Sequence, residues 1–243
     1  MFVNILETQV KMPARKEGGI KMSVVTKPVL SLDMEEPIEF ISRFGTFEYV
    51  KVGHNLAVHG KHVLDYFAEH DLKVILDLKF ADIPSTVARS IKSWDHPAVV
   101  GFTVHACAGM QSVLAALDST EKLIFSVIKL TSMAGSLEDY IKTIEGLARF
   151  GSSFVLPGTW AIKLRSKIGG KILVPGIRME RGWDDQKDVV SLDDIIGCAD
   201  FAVLGREVYK AKDPAERMEA IAKKYGVECF KPKFKTKEVV FNG

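Results

Sequence analysis

Short apolar, β-branched runs alternate along this chain with longer segments whose apolar residues recur at helical spacing. The runs cover residues 28–32, 47–52, 73–76, 99–104, 123–130, 153–156, 171–174 and 201–204. Each has strand length, and the intervening segments 58–69, 85–94, 137–150 and 214–224 read as amphipathic helices long enough to cross from one parallel strand to the next. Eight such units in roughly 200 residues predict an α/β protein, a (β/α)8 TIM barrel in a single domain, rather than an open sheet. An open nucleotide-binding sheet carries a glycine-rich turn after its first strand, whereas here the first run leads into Asp33, Met34 and Glu35. The barrel is assigned to residues 27–228, after a polar leader at 1–26 and before a C-terminal extension at 229–243. That extension ends KPKFKTKEVVFNG, with lysines alternating with apolar residues.

Composition narrows the class of function. At 243 residues and 47% hydrophobic content, the chain is able to bury one barrel-sized core. Its 33 basic and 31 acidic residues leave a net charge of +2, so no global field favours nucleic acid or a membrane surface. A small anionic ligand needs only local cations. Cys107, Cys198 and Cys229 are widely spaced and odd in number, which argues against a disulfide framework or a zinc site and for reduced thiols in a cytoplasmic enzyme. No run approaches the ~20 apolar residues of a membrane span, and the leader lacks the apolar core of a secretory signal. Trp94, Trp160 and Trp183 form no ordered basic-aromatic pattern for stacking on bases.

Barrel enzymes place their chemistry at the C-terminal ends of the strands, and here nearly every predicted strand ends in a polar residue. Asp33, Lys51, Asp77 with Lys79, His105, and Thr131 with Ser132 mark the ends of runs one to five. The segment 74–86, VILDLKFADIPST, is the most informative. Residues two apart on a strand face the same side, so Asp77 and Lys79 project together into the mouth, and Asp82 follows in the loop. An isolated Asp-x-Lys is most simply a strand-end ion pair. Lys51 one strand earlier changes that reading, because partly desolvated ions are costly unless each meets an opposite charge, and an alternating array satisfies this. After runs seven and eight come Pro175, Gly176, Ile177 and Arg178, and then Gly205 and Arg206. These are the loops from which barrels build phosphate sites, with glycine allowing close backbone approach and arginine binding in a fork.

Taken in order, LSLD ending at Asp33, VKVG around Lys51, DLKFADIPST, VHACAG, LTSM, PGIR ending at Arg178, DDQ ending at Gln186 and LGR ending at Arg206 resemble the orotidine 5'-monophosphate decarboxylase family. The similarity runs from Pro28 to about Lys224, and its motifs fall in sequence on successive strands. The resemblance implies conversion of orotidine 5'-monophosphate to UMP and CO2, the last step of de novo pyrimidine synthesis, with no cofactor and no metal. It implies that Lys51, Asp77 and Lys79 form the catalytic array, with Lys79 delivering a proton to C6 and Asp77 facing the departing carboxylate. Asp33 and Lys51 would hold the ribose hydroxyls. Pro175, Arg178, Gln186, Gly205 and Arg206 would surround the phosphate, and Thr131 or Ser132 would read the pyrimidine edge. The resemblance also implies a homodimer in which Asp82 and Thr86 complete the partner's site.

The chain departs from the family at Ser85, where many relatives have asparagine, at Ala108, where glycine is common, and most across 179–185, MERGWDD. Two other readings compete. A magnesium-dependent sugar-phosphate barrel shares the Asp-x-Lys-x-x-Asp element but has an acidic residue where this chain has Lys51. A non-catalytic nucleotide-binding barrel would be expected to lose members of the array. Decarboxylation needs no general base, so His105 is expected to serve packing or a backbone contact, and His54 and His59 to be loop or helix-start residues.

Overall fold

The computed structural model describes residues 24–130, 132–179 and 190–230. Eight parallel strands, β1 (Lys27–Ser31), β2 (Tyr49–Val52), β3 (Lys73–Phe80), β4 (Val99–His105), β5 (Leu123–Val127), β6 (Ser153–Val155), β7 (Ile172–Val174) and β8 (Phe201–Leu204), pair in chain order. β8 returns to β1, with Val29 opposite Val203, and closes the barrel. Closure leaves no free sheet edge.

Side-chain period explains the two apolar layers. Val29, Tyr49, Ile75, Phe125, Val155, Leu173 and Val203 point inward and pack together. Their strand neighbours Leu30, Val50, Val74, Phe102, Phe154 and Ala202 point outward under the helices. Strands buried on both faces read as the continuous apolar runs seen in the sequence. Gly101 is required by this packing, because a Cβ there would lie 2.8 Å from Phe125 Cε2. Near the N-terminal end of the barrel, Phe201 packs on Tyr49 and Phe125 with centroid separations of 5.3 and 5.8 Å, and this fills the interior below the mouth.

The covering helices are α1 (Pro37–Phe44), α2 (Leu56–His59), α3 (Val63–Glu69), α4 (Pro84–Ser93), α5 (Met110–Leu117), α6 (Leu137–Arg149), α7 (Gly158–Leu164), α8 (Leu192–Ile195), α9 (Arg206–Tyr209) and α10 (Pro214–Tyr225). Proline opens α1, α4 and α10, where its missing N–H costs nothing. The helix expected over 58–69 is broken into α2 and α3 at Gly60, whose φ of 69° ends the first turn. β3 runs four residues beyond its predicted end, because the charged segment past Leu76 still pairs with β4. β5 stops at Val127 rather than residue 130.

At residues 229–230 the chain still touches the barrel, since Phe230 and Thr46 exchange backbone hydrogen bonds of 2.8 and 2.7 Å. Leader residues 1–23 and tail residues 231–243 lie outside the described residues. Among the described residues, no helix is long and apolar enough to cross a membrane.

Candidate active site

The inward-facing period continues past the apolar layers and becomes polar at the C-terminal ends of the strands. Ser31, Lys51, Asp77 and Thr103 are its next members on β1 to β4, and they line a cavity of ≈ 750 Å³ together with Asp33 and Lys79. The sheet register delivers these residues to one place from four separate segments of chain.

Their charges form an unbroken chain of ion pairs. Lys51 Nζ lies 3.3 Å from Asp33 Oδ1 and 2.9 Å from Asp77 Oδ2. Lys79 Nζ lies 2.8 Å from the other oxygen of Asp77. Ser31 Oγ donates to Asp33 Oδ2 at 2.6 Å, and Asn55 Nδ2 donates to the carbonyls of Leu32 and Met34 at 2.6 Å each, which pins the loop that carries Asp33. Gly53 lets β2 approach β3 closely, since a Cβ there would sit 3.1 Å from the Asp77 carbonyl oxygen.

Burial alone would push the Asp77 carboxyl up, but Lys51 and Lys79 together outweigh it and hold the group below the usual carboxylate range. Burial likewise pulls Lys51 down, and the Asp77 and Asp33 carboxylates outweigh it and raise the ammonium above its ordinary value. Both groups are therefore charged at neutral pH. Such a site offers a fixed ammonium beside a fixed carboxylate.

The Asp77–Lys79 pair depends on an irregular strand. Leu76 is opposite Phe102 but Phe80 is opposite Val104, so β3 spends four residues where β4 spends two. Lys79 sits within this bulge at a φ of 48°, a left-handed conformation that costs a non-glycine residue about 1–2 kcal/mol. Strain of this kind persists only where surrounding contacts over-determine it.

Ser132, Pro175, Arg178, Gly205 and Arg206 line the same cavity and bring two arginines to it, a lining suited to a ligand with an anionic end. Thr131 and Gln186 lie outside the described residues, as does most of the divergent 179–185 loop. Asp82 and Thr86 do not line the cavity of their own chain. Asp82 is exposed, its Oδ1 accepts from the Ile83 N–H at 2.6 Å, and Ser112 Oγ donates to its carbonyl at 2.7 Å. The neighbouring Ile83 side chain is 64% exposed at the same corner.

His105 makes the backbone contact expected of it, accepting from Cys107 N–H at Nδ1 at 3.2 Å. Burial, and then the charge of Lys79, lower its pKa, so it is neutral near pH 7. Among the described residues, no group of three or more His, Cys, Asp or Glu is placed to hold a metal ion.

Sequence reasoning missed Lys129. It is only 8% exposed, lines the cavity, and lies 3.4 Å from the Gly135 carbonyl with Nζ 5.7 Å from the Trp160 ring centroid. The signal was present: Lys129 continues the inward series of Leu123, Phe125 and Val127. Ser31 and Thr103 were missed for the same reason, being short polar residues inside runs read as apolar.

Comparison with known proteins places this geometry. A curated orotidine 5'-phosphate decarboxylase of Thermotoga maritima is 65% identical over 194 residues, covering 80% of this chain and 96% of that protein. One from Wolbachia pipientis is 33% identical, covering 69% of this chain and 82% of that protein. The crystal structure of the Thermotoga maritima enzyme superposes with a TM-score of 0.75 at 61% identity, over 81% of this chain and 98% of that one. The enzyme from Lactobacillus acidophilus shares the fold at a TM-score of 0.66 and 23% identity, over 83% of this chain and the whole of that one. The model of the orotidine 5'-phosphate decarboxylase / HUMPS family matches residues 26–221, and the chain belongs to that family.

Proposed function

We propose that this chain decarboxylates orotidine 5'-monophosphate to UMP and CO2, with no metal or organic cofactor. The observation that carries the reading is the Asp33–Lys51–Asp77–Lys79 chain of ion pairs, sharing one cavity with Arg178, Gly205 and Arg206. The 65% identity to a named decarboxylase supports it.

The chemistry follows from the charges. The bond between C6 and the carboxylate breaks heterolytically, CO2 leaves, and the electron pair stays on C6. No electron sink is conjugated to that carbon, so fixed positive charge beside it must lower the barrier. The Lys79 ammonium supplies that charge and then its proton to C6, ending as a neutral amine that recovers a proton from solvent. Asp77, tied by two lysines, faces the substrate carboxylate and orients Lys79. Asp33 and Lys51 hold the ribose hydroxyls. Pro175, Arg178, Gln186, Gly205 and Arg206 hold the phosphate, and Thr131 or Ser132 reads the pyrimidine edge. A lysine at position 51 that already binds two carboxylates leaves no acidic ligand there for magnesium, which favours this reading over a sugar-phosphate barrel.

The enzyme works as a cytoplasmic homodimer in this reading, with Asp82 and Thr86 entering the partner's site. Asp82 and Ile83 are exposed and do not line their own chain's cavity, which supports that arrangement. The test is to mix EDTA-treated protein with orotidine 5'-monophosphate and follow loss of its ultraviolet absorbance, with Lys79→Ala alongside. Metal-independent turnover abolished by the substitution is expected. A folded protein that binds UMP but releases no CO2 would favour a non-catalytic barrel, and activity lost to EDTA and restored by magnesium would favour the sugar-phosphate reading.

A further inference from the structure

We infer that Thr103 is a positioning residue for decarboxylation, acting through the strained backbone of Lys79 and the carboxylate of Asp77; this rests on the function proposed above. Thr103 faces inward from β4 directly against the bulge in β3, and it is only 1% exposed. Its hydroxyl touches both members of the Asp77–Lys79 pair. The Lys79 backbone N–H donates to Oγ1 at 2.8 Å, and Oγ1 lies 3.0 Å from Asp77 Oδ1 and 3.5 Å from the Leu76 carbonyl oxygen.

A hydroxyl has one proton to give. The incoming Lys79 N–H occupies an acceptor position, and the nearer acceptor for the hydroxyl proton is the charged Asp77 oxygen, where the bond is the stronger one. The Thr103 side chain thus links a backbone donor to a carboxylate across the register break. The bulge takes Lys79 N–H out of the regular ladder, and Thr103 supplies the partner that it would otherwise lack.

Two consequences follow. First, the left-handed φ of 48° at Lys79 is held by a specific bond, so the ammonium starts from a defined backbone position. Second, Asp77 Oδ1 receives both Lys79 Nζ and the Thr103 hydroxyl while Oδ2 receives Lys51 Nζ, so the carboxylate cannot rotate without breaking a contact. Threonine suits the position because a β-branched residue is stiff at χ1 and fits a strand. Thr103 acts on the reacting atoms only through these two residues.

The test uses the full-length protein and compares kcat and KM for orotidine 5'-monophosphate in Thr103→Val, Thr103→Ala and Thr103→Ser. Loss of one hydrogen bond to a charged group corresponds to about 10- to 100-fold in rate. Thr103→Val is therefore expected to lower kcat by about that factor, with KM within about threefold, since the hydroxyl removed is engaged with Lys79 and Asp77. Thr103→Ser keeps the hydroxyl and is expected to recover turnover to within about threefold of the unsubstituted protein. Should the valine variant not fold, Thr103→Ala removes the same hydroxyl without adding atoms and carries the same prediction. A kcat unchanged on loss of the hydroxyl overturns the inference. So does an equal loss in the serine variant, which would make packing the cause. Absence of turnover in the unsubstituted protein would instead refute the proposed function, so the two failures are distinguishable.

Discussion

Replacing Lys51 by methionine tests whether the charge array behaves as one electrostatic unit. Lys51 is the central cation, 2.9 Å from Asp77 and 3.3 Å from Asp33, and it is 9% exposed. Removing one partner of a buried pair typically costs about 3–5 kcal/mol, because it strands the other charge. Here the stranding is incomplete. Asp77 keeps Lys79 at 2.8 Å, and Asp33, with a third of its side chain open to solvent, keeps the Ser31 hydroxyl. The expected destabilisation is therefore about 2 kcal/mol, read as a shift in urea midpoint at pH 7.

Adding Asp77→Asn removes the stranded charge, so the double variant should be more stable than the sum of the single effects predicts, by about 1–2 kcal/mol. The pH dependence carries the sign. The folded-state pKa of Asp77 is lowered, so its contribution is present above the unfolded value of about 3.9 and is lost as pH falls through the folded value. That of Lys51 is raised, so its contribution is present below about 10.4 and is lost as pH rises through the folded value. The stability gap between parent and Lys51→Met should be widest between these limits and close on the acid side. Single effects that add within about 0.5 kcal/mol, or a gap that persists undiminished after acidification, would refute the electrostatic account.

In the proposed function, orotidine lacking its phosphate should lose turnover as well as affinity, because phosphate contacts at Arg178, Gly205 and Arg206 would orient the pyrimidine; equal kcat for the two substrates at saturation contradicts this. Under the proposed homodimer with Asp82 in the partner's site, mixing inactive Lys79→Ala with inactive Asp82→Ala should restore about a quarter of full activity, since half of the reassorted dimers would carry one site with both residues intact. No recovery despite subunit exchange would place Asp82 outside the partner's site. Gly101→Ala should destabilise the barrel by about 1–3 kcal/mol through overpacking against Phe125, and an unchanged melting temperature would contradict it.

Much of the fold was legible in sequence because parallel barrel strands are buried on both faces and announce themselves as apolar runs. All eight runs are strands of the closed barrel, and Asp33, Lys51 and Asp77 fall at strand ends that line one cavity. Helices were less legible. α1, α5 and α7 are short and open without a side-chain cap, and the break at Gly60 lies inside a segment of helical period. Lys129 escaped because polarity was sought at the ends of runs and not at inward positions within them.

Local order along the chain is enough to determine period, strand count and the residue types at each strand end, because these depend on neighbours two to four positions away. It therefore determined the barrel and the placing of Asp33, Lys51, Asp77 and Lys79 at strand ends, whereas regular alternation along β3 does not account for the Asp77–Lys79 pair, which the bulge makes. Only the tertiary structure decided that β3 bulges against β4, that Lys79 takes a left-handed conformation there, and that Thr103 bonds to both it and Asp77. It also decided that Lys129 lines the cavity while Asp82 of the same chain does not. Register, burial and charge state are set by segments far apart in sequence, and each depends on the closed sheet that brings those segments within 3 Å of one another.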